Sequence, residues 1–139
     1  MLNSFAPTGI TKYTIPDSVT WIGEFAFNKC SSLTSVTIPD SVTWIGYGVF
    51  LGCSSLTSVT IPDSVTTIGY LAFYYCSSLT SVYCKATTPP VALFDDDYWG
   101  AFNDNASGRK IYVPMESVNK YKSASGWSEY ASDIVGYDF

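Results

Sequence analysis

The run Ile-Pro-Asp-Ser-Val-Thr opens at Ile15 and returns at Ile38 and Ile61, a spacing of 23 residues. Aligned without gaps, residues 15–37 and 38–60 share 18 of 23 positions, and 38–60 and 61–83 share 17. Such a period builds a stack of like units, none of which can bury its apolar edge alone. The constant columns are Leu33/Leu56/Leu79, Val36/Val59/Val82, Val19/Val42/Val65, Ile22/Ile45/Ile68, Phe27/Phe50/Phe73, Gly23/Gly46/Gly69 and Cys30/Cys53/Cys76.

The pattern reaches past the three clear copies. Ile10 and Tyr13 stand one period before Leu33 and Val36, so residues 1–14 form a partial unit ahead of the full repeats at 15–84. Downstream, Ile111-Tyr112-Val113-Pro114 echoes Val36-Thr37-Ile38-Pro39, but 29 residues after Val82, and Phe102 lies 29 after Phe73. Equal shifts place a six-residue insertion within 85–101 and make 85–114 a modified fourth repeat. Residues 115–139 are expected to close the stack as a cap. There Val118, Tyr121, Trp127, Tyr130 and Ile134 would line the inner side of one or two short helices broken at Gly126.

Within a unit, Leu33-Thr-Ser-Val36-Thr-Ile38 places Val36 and Ile38 on one face of a strand and Ser35 and Thr37 on the other. Pro39 ends the strand, having no N–H for a ladder. Asp40-Ser41 reads as a turn pair whose side-chain oxygens accept from backbone amides. Val42 and Ile45 turn inward, and Gly46 is expected to reverse the chain with positive φ. Phe50 then fills the interior before Cys53. An apolar content of 47% suits one continuous core in a chain of 139 residues. A net charge of −5, without a basic cluster beyond Arg109-Lys110, argues against nucleic acid as a partner. No apolar run reaches the roughly 18 residues of a membrane span, so membrane insertion is not expected, and no signal-peptide pattern stands in this chain.

The unit L-x-x-V-x-I-P, followed by D-S-V-T-x-I-G-x-x-A-F-x-x-C-S-S, resembles the BspA-like bacterial leucine-rich repeats, strongly so over 10–84. The C-terminal part, with its I-Y-V-P, Ser117-Val118, Tyr121 and Gly126-Trp127, is also similar to that family's ending. The resemblance implies a right-handed parallel β-solenoid, or short horseshoe, of 23-residue coils with a C-terminal helical cap. It implies adhesion or protein contact in a secreted or cell-surface parent protein of host-associated bacteria. It carries over no catalytic residues and implies no cofactor.

The remaining chemistry is sparse. In-register side chains about 4.8 Å apart and pointing the same way do not converge as a disulfide needs, so Cys30, Cys53 and Cys76 are expected as buried free thiols. Cys84 falls in the Ile38/Ile61 column and is expected to be reduced as well. With no His and no C-x-x-C spacing, nothing marks a zinc site. The carboxylates of Asp17, Asp40 and Asp63 stack with a mutual repulsion of roughly 0.8 kcal/mol in water, which a turn hydrogen bond outweighs. Asp95-Asp96-Asp97 with Asn103-Asp104-Asn105 faintly resembles a calcium loop, but Trp99 and Ala106 occupy ligand positions, so a solvated loop is expected and no metal site. Without a base for a nucleophile, and without a phosphate loop, the chain is not expected to be an enzyme.

What varies between copies is aromatic. The changing columns are Trp21/Trp44/Thr67, Glu24/Tyr47/Tyr70, Phe25/Gly48/Leu71, Asn28/Leu51/Tyr74, Lys29/Gly52/Tyr75 and Thr37/Thr60/Tyr83. Trp21 lies between inward Val19 and Ile22 and should point outward beside Trp44, with Tyr47 and Tyr70 one turn along. Such rings either cover the coil's flank or form a contact patch. Trp21, Trp44, Tyr47 and Tyr70 are therefore the candidate binding residues. The expected partner is a protein, including a host-derived one. A glycan stacking on the rings and a purely structural spacer are the alternatives. Phe5 falls near the Phe27 column, so the chain is expected to begin partway through a coil. Its open edge, covered in part by residues 1–9, would leave a monomer with weak end-to-end association.

Overall fold

The computed structural model describes residues 9–94 and 100–139. The first-coil position of Phe5, the covering role of residues 1–8 and the Asp95–Trp99 loop lie outside them. Each 23-residue unit supplies two short strands separated by the Pro-Asp-Ser turn. The first set is β1 (Lys12–Thr14), β3 (Ser35–Thr37), β5 (Ser58–Ile61) and β7 (Ser81–Cys84). The second is β2 (Trp21–Ile22), β4 (Trp44–Ile45), β6 (Thr67–Ile68) and β8 (Val91–Ala92). The modified unit adds β9 (Lys110–Pro114), and β10 (Ile134–Tyr137) follows the cap.

All strand pairs are parallel. The second set forms one sheet, β2-β4-β6-β8, with Ile22, Ile45 and Ile68 in register. The first set divides into β1-β3 and β5-β7-β9-β10. Between the two faces runs a stack of Phe27, Phe50, Phe73 and Phe102, whose ring centroids lie 5.2, 5.1 and 5.3 Å apart. Val36 and Val59 are buried while Ser35, Thr37, Ser58 and Thr60 face out, as strand alternation requires. The fold is thus the expected repeat solenoid.

The inserted residues divide. Ile68 pairs with Ala92, 24 positions on, whereas Val82 pairs with Ile111, 29 on. One extra residue therefore precedes Val91 (24 − 23), and the other five (29 − 24) lie between Ala92 and Phe102. The cap is a 3-10 turn (Met115–Ser117), helix α1 (Val118–Ser123) and a second 3-10 turn (Ser128–Asp133). Tyr121 and Trp127 are fully buried in it, and Trp127 Nε1 donates to the Pro90 carbonyl at 2.8 Å. Arg109, also buried, lies over the Tyr130 ring at 5.0 Å and pairs with Asp133 at 3.5 Å, fastening the cap to the last coil.

Four expectations need correction. Ile134 does not line a helix: it opens β10, whose Ile134-Val135-Gly136-Tyr137 pairs with β9. The Gly23/Gly46/Gly69 column does not reverse the chain with positive φ. Its role is close approach, since a Cβ on Gly69 would sit 2.5 Å from the Gly46 carbonyl carbon, and one on Gly46 2.8 Å from the Ile22 oxygen. The left-handed positions are instead Phe25, Gly48 and Leu71, with Lys29, Gly52 and Tyr75 one turn later. In the Asp-Ser turn the serine donates rather than accepts, Ser41 Oγ to the Val19 carbonyl and Ser64 Oγ to the Val42 carbonyl, each at 2.7 Å. The aspartates of that column face solvent. Finally, Cys30 is only half-buried, although Cys53, Cys76 and Cys84 are fully enclosed.

Candidate functional site: an exposed aromatic band

The outward face of the β2-β4-β6-β8 sheet is set by two-residue alternation, Ile in and its predecessor out. Trp21 and Trp44 occupy that outward position in β2 and β4, paired in register. Their rings stack at 4.7 Å with an interplanar angle of 23°, and each residue stays 41% exposed. Thr67 and Val91 continue the row in β6 and β8. Two residues past each strand, the chain turns outward again. Tyr47 and Tyr70 meet there at 6.1 Å, and Phe25 packs edge-on against Tyr47 at 5.0 Å.

The four residues singled out in the sequence therefore fall into two adjoining rows on one flank, and a fifth, Phe25, joins them. Phe25 was legible only as a member of a changing column. Its backbone is left-handed, φ 56°, and its ring lies over Gly48, where an added Cβ would come within 2.5 Å of it. These five rings lack both a carboxylate pair and a nucleophile among themselves, so their chemistry is that of contact: ring faces, ring edges and two phenolic hydroxyls.

A second aromatic cluster lies on the other sheet. Tyr83 and Tyr112 stack at 4.9 Å in the outward row of β7 and β9, and Tyr137 and Phe139 close over them at 5.3 and 6.5 Å from Tyr83. The sequence places Tyr83 in the Thr37/Thr60 column and, through the echo of Val36-Thr37 in Ile111-Tyr112, Tyr112 in the same column, but it does not bring Tyr137 and Phe139 to them. The signal for Tyr137 is the alternation of Ile134-Val135-Gly136-Tyr137, of which helical spacing claims Ile134 for the cap.

The three enclosed thiols, Cys53, Cys76 and Cys84, are inert by environment. Cys53 Sγ and Cys76 Sγ each donate at 3.1 Å to a carbonyl of the preceding coil, Phe27 and Phe50 respectively. Burial pushes the Cys53 thiol up to about 12, and burial likewise raises Cys76 and Cys84. None of the four cysteines forms a disulfide. Among the described residues, no three carboxylate or thiol groups converge on a metal position. Shallow grooves of about 510 and 530 Å³ lie along the Pro-Asp-Ser turns, beside Asp17 and Asp40 in one case and Asp63 and Lys85 in the other.

Comparison with known proteins follows the same columns. The model of the BspA type leucine rich repeat region matches residues 2–121 in six copies. The chain belongs to this family. A leucine rich cell surface protein from Faecalibacterium prausnitzii A2-165 has a similar solved structure, at 25% identity and a TM-score of 0.57. That match covers 95% of this chain and 31% of the other. A leucine-rich repeat protein from Bacteroides ovatus ATCC 8483 is 26% identical with a TM-score of 0.43, over 80% of this chain and 41% of the other. The BspA-type chain thus spans less than half the length of either relative. No curated protein matches it.

Proposed function

We propose that this BspA-type module is a non-enzymatic binding surface of a bacterial cell-surface protein, and that the band of Trp21, Trp44, Phe25, Tyr47 and Tyr70 contacts a protein partner. The observation that carries the reading is contiguity. Five large rings, each 38–41% exposed, adjoin in two rows on a rigid sheet, where burying them against a partner releases apolar surface at little entropic cost. Membership in a family of repeat proteins and likeness to a cell-surface protein support the location and the interaction role.

The test is adhesion of beads carrying the chain to cultured host epithelial cells, with and without prior protease treatment of the cells. Binding abolished by protease, and reduced about tenfold or more by Trp44→Ala at unchanged melting temperature, supports the reading. Equal binding by Trp44→Ala, Tyr47→Ala and Tyr70→Ala would remove the band from the interface. No adhesion to any cell type would leave a structural spacer as the better account.

One observation favours a glycan as second reading. Thr67, not a third tryptophan, follows Trp44 in the row, so the indole face away from Trp21 lies beside a small side chain and Trp44 remains 41% exposed. A flat indole face of that kind accepts the C–H face of a sugar ring. Adhesion lost to glycosidase but not to protease would select this reading over the first.

A further inference from the structure

On the face built by β1, β3, β5 and β7, bonds recur one period apart. Thr34 N–H and Oγ1 donate to the Thr11 carbonyl at 2.7 and 3.0 Å, Ser35 N–H reaches the same oxygen at 3.2 Å, and Ile15 N–H reaches Thr37 at 3.1 Å. Thr80 N–H and Oγ1 donate likewise to the Thr57 carbonyl, at 3.0 and 3.2 Å. Between these two groups the series fails. Among the described residues, neither Thr57 nor Ser58 donates to the Thr34 carbonyl, Ile38 N–H does not reach Thr60, and β3 and β5 belong to separate sheets. A cleft of about 350 Å³ opens there, lined by the two strands from Ser35 to Ile38 and from Ser58 to Thr60 together with Asp40, Pro62 and Lys85, and its exposed surface is mostly polar.

The opposite flank of the same two coils is closed. Thr66 N–H donates to Thr43 at 2.8 Å, Gly69 N–H to Ile45 at 2.7 Å and Phe50 N–H to Ala72 at 2.8 Å, and Phe50 stacks on Phe73. The strands at the gap are not mismatched. Residues 34–38 and 57–61 carry the same Thr-Ser-Val-Thr-Ile, and β5 pairs fully with β7. Two edges able to pair but apart, on a closed opposite side, are the parts of a hinge.

We infer that the solenoid is hinged between β3 and β5, with the β4-β6 ladder and the Phe50–Phe73 stack as its pivot. The cleft opens and closes without breaking the core. Polar walls of hydroxyls, one carboxylate and one ammonium let water take the place of the ladder bonds in the open state. Tyr47 and Tyr70 lie on the pivot side, where Gly48 N–H donates to the Tyr70 carbonyl at 2.8 Å, so the aromatic band keeps its spacing as the cleft moves.

Residue-resolved hydrogen exchange and relaxation dispersion on the intact chain test the hinge. The amides of Ile38, Thr57 and Ser58 are expected to exchange about 100-fold or more faster than Thr34, Ser35 and Thr80, while Thr66 and Gly69 remain slow. Dispersion on the microsecond-to-millisecond scale is expected at Ile38 and Ser58 and not at Gly69. Protection at Ile38, Thr57 and Ser58 within about tenfold of the period-mates would show a closed ladder and overturn the inference. Equally fast exchange at Thr66 and Gly69 would mean that the coils separate outright, and flat dispersion at all sites would leave a fixed gap. Either result also excludes a hinge.

Discussion

Replacing Gly69 by alanine adds one methyl group at the tightest inter-coil contact. The new Cβ would lie 2.5 Å from the Gly46 carbonyl carbon, 2.7 Å from the Tyr47 nitrogen and 2.8 Å from the Gly46 oxygen. Carbon atoms rest comfortably near 3.5–4.0 Å, so the facing backbone must retreat by about 1 Å. Backbone has no rotamer through which to yield. The retreat strains the Gly69 N–H bond to Ile45, now 2.7 Å, toward the limit of a hydrogen bond near 3.5 Å, and the neighbouring Thr66–Thr43 bond with it. Overpacking costs about 1–3 kcal/mol and each of the two weakened backbone bonds about 1 kcal/mol, giving about 3–5 kcal/mol in all. In a chain of this size that lowers the melting temperature by roughly 12–20 °C. Gly108→Ala is the control. Gly108 has φ +79° with nothing within 4 Å of the added Cβ, so it reports conformational strain alone, about 1 kcal/mol. Thermal and urea melts of the two variants decide the matter. A cost at Gly69 no greater than that at Gly108 would refute close approach as the reason for glycine in this column.

Phe50 is fully buried between Phe27 and Phe73, so Phe50→Ala should cost about 3–5 kcal/mol in urea melts, against less than about 1 kcal/mol for exposed Thr37→Ala. In native protein, thiol titration with an impermeant reagent should show one faster group, Cys30, and three slow ones, with all four fast in denaturant. Three buried thiols with raised folded pKa stabilise the fold fully below the ordinary value of 9.0 and lose that contribution as pH rises from there toward the folded values, about 12 for Cys53. Unfolding free energy should therefore fall above about pH 9, by at most about 1.4 kcal/mol per pH unit for each thiol, and the Cys53→Ala, Cys76→Ala and Cys84→Ala variants should each flatten that decline. Lys29 holds φ 59° where its period-mate is Gly52, so Lys29→Gly should stabilise the chain by about 0.5–1 kcal/mol; a destabilised variant would contradict the strain.

The period made the core legible because every coil places its apolar residues in the same surroundings. Leu33, Val36, Ile45 and Phe50 needed no other signal. Glycine misled for a physical reason: positive φ and close approach both select it, and a sequence shows the residue but not the cause. The true left-handed positions hid because only one copy in three, Gly48 or Gly52, carries the residue that advertises them. Cys30 shares its column's residue type but not its burial, which depends on neighbouring coils that a within-unit reading does not include. β10 was lost because its four residues alternate over too short a span to outweigh the helical spacing of Val118, Tyr121, Trp127 and Tyr130. The outward rows of Trp21 and Trp44 followed from alternation, whereas Phe25, which meets Tyr47, has a left-handed backbone that nothing in the residue type announces.

Side-chain bonds such as Thr34 to Thr11, Thr43 to Thr20 and Thr66 to Thr43 each reach back 23 residues. A coil therefore recognises its neighbour, not its own place in the chain. A recombination event that adds or removes a whole 23-residue block leaves each surviving donor facing an equivalent acceptor, whereas a change of any other length must be absorbed in a loop, as the six extra residues before Phe102 are, for the columns beyond it to stay in register. Overall length can thus vary between related genes far more freely than the sequence of any one coil, and with it the length of the aromatic rows presented to the outside.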